Sequence, residues 1–555
     1  MKFRFRFFAL VAAAAVVLLM TAGCSGEKGG SGPVDVDVGK LGPYDPPINC
    51  VSAASYYITS SVADGQKKDD NVWTQLYKDM GINISFKFTA PNVQYTEKLN
   101  TDIAIGSIPD IVTVDTNQLV KLLKAGLIYD DLTPYFDKYA TDDTKRITGG
   151  LDSDLFKIAT VDNKLVAIPY TDNGYDAADI MYVRKDWLEK VNLKPPKTID
   201  DLEKVLDAFV NQDPDGDGEK NTIGLPGYKG LYGGGASLAG IFHAYGAYPH
   251  TWVEQPDGSI TYGSFSDKMK APMAKLAEWY KKGLIMEDFA VRDMQKSGSA
   301  VMSGESGVWF GNMTNPAWPL MATVANDYNA DWLCLPVPTA TPGQLASAAI
   351  YKTPNRFHVV RKGYEHPEAL VLMMNAFVDK MWGSELKDPA EHNKYAEMSS
   401  FALCQAWPTT KNLDAYKNIT YAIDNQDPSK LNAEETLYYN NVKAFLDRGG
   451  KIDDPSQQLD WARTHIFYKG GSQSVIEYYV DNNLVVDDLW KYLDTPAMSM
   501  KKRSMEISAR EIVTKIIMGK IPVEDFDKQV QAILKSGGQQ VINEANVIYK
   551  ANKTG

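Results

Sequence analysis

Short β-rich stretches alternate with amphipathic helical stretches along the first part of the chain. Residues 82–88 alternate apolar and polar side chains, which is the pattern of a half-buried strand. Residues 71–80 carry apolar side chains at helical spacing, which predicts a helix with one buried face. A second helix is predicted at 92–101 and another strand at 108–115. This alternation predicts an α/β fold in which a mainly parallel sheet is covered by helices on both faces.

Polar residues follow one of these strands at its carboxyl end, which is where ligands bind in parallel sheets. Asp115 and Thr116 come directly after an apolar run and are therefore candidates for lining a ligand cleft. The same residue types also cap helices and form turns, so a purely structural role for Asp115 is the alternative.

The stretch 164–187 indicates how the chain is divided. A short apolar strand ends at Pro169, which has no N–H to donate to a sheet. The polar and aromatic residues 170–175 follow, and the next strand, 180–184, runs directly into a helix start. This pattern favours a chain that passes between two lobes, although a loop in one large domain is the alternative. A chain of 555 residues also exceeds what a single core usually supports.

A later strand ends in a cluster of aromatic and amide residues. It is predicted at 304–310, includes Trp309, and opens into Asn312 and Trp318, a pattern typical of the edge of a cleft. Burial in a core is the commoner fate of tryptophan and is the alternative for both indoles.

The remaining chain contains one more strand, one more candidate crossing and a long helical region. Residues 331–337 predict a strand that returns to the first lobe. The segment 404–409, which includes Trp407, is aromatic and interrupted by proline, so it predicts another crossing. From residue 412 to the end the apolar spacing is helical.

An acidic loop follows the helix predicted at 198–210. Its carboxylates occupy alternate positions before a glycine, so they converge on one point and repel each other unless a cation lies between them. The loop predicts a structural calcium site with candidate ligands Asp213, Asp215, Asp217, Glu219 and Asn221. Gly224 stands where an EF-hand needs a bidentate glutamate, so this is not an EF-hand and other groups must complete the shell. A solvated acidic turn is the alternative.

Composition and charge exclude several classes of protein. A formal net charge of −12 argues against a nucleic-acid partner. The four cysteines lack metal-ligand spacing, and the sequence contains no serine elbow, zinc-protease, phosphate-loop or dinucleotide motif. No catalytic residue and no catalytic cofactor are therefore predicted. A pair among the 70 acidic residues could still act as a glycosidase acid and base, so an exported carbohydrate-active enzyme is an alternative.

The N-terminal residues predict export. Basic residues precede the uninterrupted apolar run 7–20, and small residues lead to Cys24. This pattern predicts an export signal over residues 1–23, and the small residues before Cys24 resemble the lipobox of bacterial lipoproteins, in which the cysteine is lipidated. A plain secretory signal or an uncleaved membrane anchor is the alternative. Residues 24–45 are Gly-rich without periodicity, which predicts a flexible tether.

Several stretches, in this order, resemble the family 1 extracellular solute-binding lipoproteins of bacterial ABC importers, and in particular their large, oligosaccharide-linked branch. They are SIPDI (107–111), AGLIYDDLTPY (125–135), KLVAIPYTDNG (164–174), MYVRKDWL (181–188), DPDGDG (213–218), WYKKGLI (279–285) and GGQQVINEAN (537–546). They span nearly the whole chain after the tether.

The resemblance implies a two-lobed, periplasmic-binding-protein-like fold of type II. Each lobe is expected to be a mainly parallel sheet flanked by helices, with three interlobe crossings and a helical C-terminal region. Lobe 1 is expected to comprise residues 46–169 and 331–405, and lobe 2 residues 170–330 and 406–555.

The resemblance also implies a function. The protein is expected to bind an oligosaccharide between the lobes, to close on it by hinge motion and to deliver it to the transmembrane subunits of an ABC permease. Cys24 is expected to carry a lipid anchor that includes palmitate and that holds the protein on the extracytoplasmic face of the cell membrane. The protein is expected to be a monomer. A surface lipoprotein for adhesion or sensing is a further alternative.

Sugars present apolar ring faces and a fringe of hydroxyl groups, so they bind aromatic platforms together with planar amide and carboxylate groups. The residues expected to stack on rings are Tyr170, Trp309, Trp318 and Trp407, and those expected to bind hydroxyls are Asp115, Asp172, Asn173 and Asn312. The family's calcium loop matches at the three aspartates, with Asn221 where an acidic residue is usual.

Overall fold

The computed structural model describes residues 37–56, 69–172, 174–350 and 354–553. The predictions for the signal peptide, Cys24 and Asn173 lie outside these residues. Within the described ranges, no helix has both the length and the apolar character that a membrane span requires.

The strands of the described residues are short apart from the first two. They are β1 (Ile48–Tyr56), β2 (Ile82–Pro91), β3 (Ile111–Asp115), β4 (Thr160–Val161), β5 (Lys164–Leu165), β6 (Ile168–Pro169), β7 (Ile180–Arg184), β8 (Trp252–Glu254), β9 (Ile260–Tyr262), β10 (Val308–Gly311), β11 (Trp332–Leu335), β12 (Ala348–Ile350), β13 (Arg356–Val360) and β14 (Val485–Asp487).

Helices fill the intervals and dominate the last third of the chain. They are α1 (Val72–Asp79), α2 (Asn92–Ala104), α3 (Thr116–Ala125), α4 (Thr133–Tyr139), α5 (Asp142–Thr148), α6 (Asp154–Ile158), α7 (Lys185–Lys190), α8 (Ile199–Asn211), α9 (Ala239–Ala244), α10 (Lys270–Lys281), α11 (Met294–Met302), α12 (Met321–Asn326), α13 (Ala369–Trp382), α14 (Pro389–Ala396), α15 (Lys411–Asn425), α16 (Ala433–Asp447), α17 (Gln458–Phe467), α18 (Ser472–Asp481), α19 (Pro496–Ile517), α20 (Phe526–Ile533) and α21 (Gln539–Lys553). The helical C-terminal region is confirmed.

The larger sheet has the strand order β2-β1-β3-β13-β6. Its first half is parallel, since β1 pairs in parallel with both β2 and β3. Helices α1 and α2 lie in the connections that a parallel arrangement requires. Its second half is antiparallel, because β13 runs against both β3 and β6.

The smaller sheet corrects two expectations. Its order is β10-β7-β11, and both pairings are antiparallel, so the mainly parallel prediction is wrong for this sheet. Strand β11 was expected to return to the first lobe but pairs with β7 instead. All five residues of β7 are buried, and a strand buried on both faces carries no sequence signal for the direction or identity of its neighbours.

The pairing of the next two strands changes the proposed lobe boundary. Strand β12 pairs with β14, which lies far along the chain, whereas β13 joins the larger sheet. We therefore move the proposed return to lobe 1 from residue 331 to the connection between β12 and β13. The other lobe boundaries stay predictions.

Helix α21 packs against strand β9. The φ angle of +125° at Gly537 breaks the helical path between α20 and α21. Asn546 on α21 then donates its amide to the Ile260 carbonyl (2.7 Å) and accepts a bond from the Ile260 N–H (2.8 Å). The side chain of one helix residue thus completes the hydrogen bonding of strand β9.

A buried arginine holds the end of β7. The guanidinium of Arg184 is 2% exposed and donates two bonds to Asp186, at 2.7 and 2.6 Å, and a third to Asp327 at 3.1 Å. It also lies over the ring of Trp187 at 5.0 Å. A fixed fork of donors suits this position better than a lysine would, because its three hydrogen bonds reach three different carboxylate oxygens.

We predict that Arg184→Met lowers the free energy of unfolding by about 3–5 kcal/mol, because it leaves Asp186 without its charge partner in a partly buried site. The matched control is the adjacent Lys185→Met, whose pair with Asp331 is half exposed on both sides. It is expected to cost about 0–1 kcal/mol. Urea unfolding measures both, and equal losses would contradict the assignment.

Candidate functional site

Three chain segments lie side by side at the edge of the larger sheet. The Tyr170 N–H donates to the Arg356 carbonyl at 3.0 Å. The Thr171 hydroxyl donates to the Trp407 carbonyl (2.8 Å) and accepts from the Trp407 N–H (2.9 Å). The first of these segments leads from β6 to β7, and so from the larger sheet to the smaller one. We call residues 170–172, 354–356 and 405–407 the junction.

An aromatic pair lies within the junction. The Trp407 indole N–H donates to the Tyr170 hydroxyl at 3.0 Å, and that hydroxyl donates to Gln405 Oε1 at 2.8 Å. The amide of Gln405 is held in turn by the carbonyls of Ser399 and Ala402. Burial raises the pKa of Tyr170, so the phenol stays neutral and keeps its donor. The pair is therefore oriented before any ligand arrives.

A histidine lies between the junction and strand β3. His358 Nδ1 is 2.9 Å from the Thr113 hydroxyl, and Nε2 is 3.0 Å from the Gln405 carbonyl. Burial lowers the pKa of His358 to about 4, so the ring is neutral at physiological pH. It joins the sheet to the junction without adding charge.

Two adjoining cavities open beyond the carboxyl ends of β1 and β3. The smaller has a volume of about 290 Å³ and the larger about 860 Å³. Both are lined by Ser55, Tyr95, Thr113 and Arg356. The smaller one extends along the junction, and the larger one extends to helix α19, where Lys502, Arg503 and Glu506 lie. This is the position at which α/β sheets bind ligands.

Four of the predicted ligand-binding residues line these cavities. Tyr170 and Trp407 line the smaller one, and Asp115 and Asp172 line the larger one. Asp115 also caps α3. Its carboxylate accepts from the Gln118 N–H at 2.8 Å, and the Asp115 N–H donates to Gln118 Oε1. The helix-cap alternative for Asp115 therefore holds, and its contact with a ligand stays a prediction.

The other three described residues lie together elsewhere, around strand β10 of the smaller sheet, and line neither cavity. Trp309 is fully buried and donates its indole N–H to Asn315 at 2.9 Å, so its predicted role as a ring platform is corrected. Trp318 packs edge-on against Trp309, with ring centroids 6.2 Å apart. The Asn312 carboxamide oxygen accepts from the N–H and hydroxyl of Thr314, which is a turn-forming role.

Two glycines that are distant in sequence explain why these indoles are packed in a core. A Cβ at Gly235 would lie 2.6 Å from the Trp309 ring, and one at Gly298 would lie 2.5 Å from the Trp318 ring. Glycines at both positions make room for an indole in a core. The cleft residues that the sequence did not predict, Arg356 and the basic pair Lys502–Arg503, carry no motif because their positions depend on tertiary packing.

The acidic loop brings its three aspartates together. One oxygen from each of Asp213, Asp215 and Asp217 lies within 4.8 Å of the others. Asp213 accepts from the N–H groups of Gly216 (3.0 Å) and Gly218 (3.1 Å), which turns the loop inward. Hydrogen bonds lower the pKa of Asp213, and the bond with Asp215 has the largest effect. Burial and the neighbouring carboxylates raise the pKa of Asp215.

The loop also has an unused acceptor. Asp215 Oδ1 is buried and has no hydrogen-bond partner among the described residues. Asn221 and Glu219 lie beside Asp217, which accepts from the Asn221 amide (2.8 Å) and the Glu219 N–H (2.7 Å). Converging carboxylates with a buried free oxygen fit a hard cation.

Comparisons with known proteins define the class of this protein. The profile described as bacterial extracellular solute-binding protein matches residues 72–353, half of the chain. The chain belongs to this family, which confirms the resemblance.

Individual relatives agree with the family assignment. The chain is 24% identical to the polygalacturonan/rhamnogalacturonan-binding protein YtcQ of Bacillus subtilis (strain 168), over 100% of this chain and 99% of that protein. The S. pneumoniae ABC-transporter substrate-binding protein FusA, solved with kestose, has a TM-score of 0.62 at 17% identity, covering 91% of this chain and all of FusA. A FusA EF-hand mutant with fructo-nystose gives 0.62 at 18% identity, with the same coverage. The two-lobed fold is confirmed.

We predict that Tyr170→Phe lowers the free energy of unfolding by about 1 kcal/mol, because the hydroxyl that joins Trp407 to Gln405 is lost in a partly buried site. The loss is limited because the Trp407 N–H also lies 3.3 Å from Gln405 Oε1. Urea unfolding is the measurement, and Tyr421→Phe at an exposed ring is the control. A change no larger than the control would mean that the bond is not used.

Proposed function

We propose that this protein captures an oligosaccharide in the cavities beside the junction and delivers it to the permease of an ABC importer. The observation that carries the proposal is an aromatic pair, fixed by hydrogen bonds, that faces the polar ends of the β1 and β3 strands. The relatives of this protein support the class of ligand, since YtcQ is named for binding polysaccharides and FusA was solved with kestose.

The chemistry of the lining matches a sugar. Tyr170 and Trp407 supply half-buried ring surface, which suits the apolar face of a pyranose or furanose. The Ser55 and Ser400 side chains supply hydroxyls that can both donate and accept, as sugar hydroxyls require. A combined space of this size and polarity accommodates more than one sugar ring.

We infer that the protein works by motion rather than by chemistry. The relatives are binding proteins rather than enzymes. The first segment of the junction leads from one sheet to the other and is bonded to the other two, so the junction is the proposed hinge about which the lobes close on the ligand. We further propose that a lipid on Cys24 holds the protein, as a monomer, on the extracytoplasmic face of the membrane beside the permease.

We predict that neutral and acidic oligosaccharides, screened against the chain from Cys24 onward, include ligands that raise Tm and reduce the radius of gyration in X-ray scattering. Ser400→Trp, which fills the smaller cavity, should weaken binding by about tenfold or more. Ser299→Trp on the exposed side of α11 should leave binding unchanged. Release of shorter products would instead support the enzyme alternative, and binding without compaction would support the adhesion or sensing alternative.

We also propose that the loop of Asp213, Asp215 and Asp217 holds a structural calcium ion. The unpartnered buried oxygen of Asp215 supports it, as does the naming of an EF-hand in the relative FusA. Such an ion would fasten the exit of α8 and would take no part in ligand chemistry. Glu219 and Asn221 are proposed to complete the shell together with water.

We predict that calcium at about 100 times its Kd stabilises the wild-type protein by about 2.7 kcal/mol and that a chelator removes the gain. Asp215→Asn should abolish the response without lowering the stability of the metal-free protein, because it removes one of three repelling charges. The control Asp481→Asn changes an exposed acid far along the chain and should keep the response. Differential scanning calorimetry measures both, and an Asp215→Asn protein that still responds would contradict the assignment.

A further inference from the structure

The larger cavity is lined by basic and acidic side chains, and only some of these side chains have a partner of opposite charge. Its basic residues are Arg356, Lys502 and Arg503, and its acidic residues are Asp115, Asp172, Asp494 and Glu506. A neutral sugar needs hydroxyl and amide partners but no net charge. The pairing of each charged group therefore bears on the class of ligand.

Most of the acidic groups are engaged or open to solvent. Asp494 accepts from Lys502 at 3.3 Å, and Asp115 is engaged by the backbone of α3. Burial raises the pKa of Glu506, which favours its neutral form. Asp172 is exposed to solvent.

Arg356 stands apart from this arrangement. Its guanidinium lies 3.7 Å from the centroid of the Tyr170 ring, stacked on one face, and it lines both cavities. Asp115 stands opposite Arg356 in the sheet but is engaged by the cap of α3, and no carboxylate of the described residues forms an ion pair with Arg356. A guanidinium stacked on a ring presents its planar N–H edge sideways, and that edge matches a carboxylate with two parallel bonds. A half-buried charge that lacks an ion-pair partner would gain from an anionic ligand.

We propose that the oligosaccharide carries carboxylate groups and that Arg356, stacked on Tyr170, is the residue that selects them. The proposal rests on the proposed function, since it names the ligand class of the same cavities. Arg503, exposed on α19, lines the larger cavity as well and supplies a second guanidinium for a further sugar unit. The ligand class is therefore an oligosaccharide of uronic acids.

The test compares two probes of equal shape: the trisaccharide of galacturonic acid and the same trisaccharide with every carboxyl group methyl-esterified. Isothermal titration calorimetry on the wild-type chain should show at least about tenfold tighter binding of the acid. Raising the salt concentration from 50 to 500 mM should weaken binding of the acid and not of the ester, because only the acid is held by charge.

Variants assign the preference to one side chain. Arg356→Gln should weaken binding of the acid by about ten- to hundredfold and of the ester by less than about threefold. Arg356→Lys should keep part of the preference, because it retains the charge and loses the planar fork. Arg292→Gln, at a partly exposed arginine that pairs with Asp288 away from both cavities, is the control for altered net charge. Unfolding curves check that each variant is folded.

Each outcome separates this inference from the proposed function. Equal affinity of the wild-type chain for acid and ester overturns the inference even if no variant folds. Equal losses for both probes in Arg356→Gln also overturn it, since they would show a merely structural role. Binding of neutral oligosaccharides alone overturns the inference and leaves the proposed function standing. Binding of no saccharide, acidic or neutral, overturns both.

Discussion

The reciprocal pair of hydrogen bonds between Thr171 and Trp407 is the contact on which the site depends. One hydroxyl serves both the N–H and the carbonyl of a residue more than 230 positions away, and so imitates a strand partner. Neighbouring bonds from Tyr170 to Arg356 and from His358 to Gln405 extend this pairing across all three segments. Because the segments are bonded to each other at closely spaced points, they form one connected element beside the cavities.

The same contact explains why the site forms without a ligand. The aromatic rings of Tyr170 and Trp407 lie at the junction because the backbone beside them is paired there, and their polar atoms are bonded to Gln405. A ligand therefore meets groups that already have their orientation, and less binding free energy is used to order them. Arg356 is held in the same way, by the ring beneath it and the strand that begins at its own position.

Sequence reasoning recovered what is local and missed what is tertiary. The strand-helix alternation predicts β2, β3 and their helices, and the capping residues Thr198 and Gly126 do what their types predict. The tight acidic loop is also local, so its aspartates could be predicted to converge. The direction of the strands around β7 could not, because a fully buried strand reads the same in either direction. Trp309 was assigned to the cleft because it lies near the end of a strand, but the sequence does not show whether such an indole faces solvent or the core. Its ring is buried against Gly235, which lies more than 70 residues earlier in the chain.

Helix α21 has a consequence for how the chain reaches its folded state. The bonds from Asn546 to Ile260 mean that strand β9 lacks its outer partner until the last helix in chain order has been synthesised. Two distant parts of the chain therefore have to meet before this edge of the small β8-β9 sheet is complete. Closing a loop of 286 positions costs chain entropy, so this contact is expected to form late in folding.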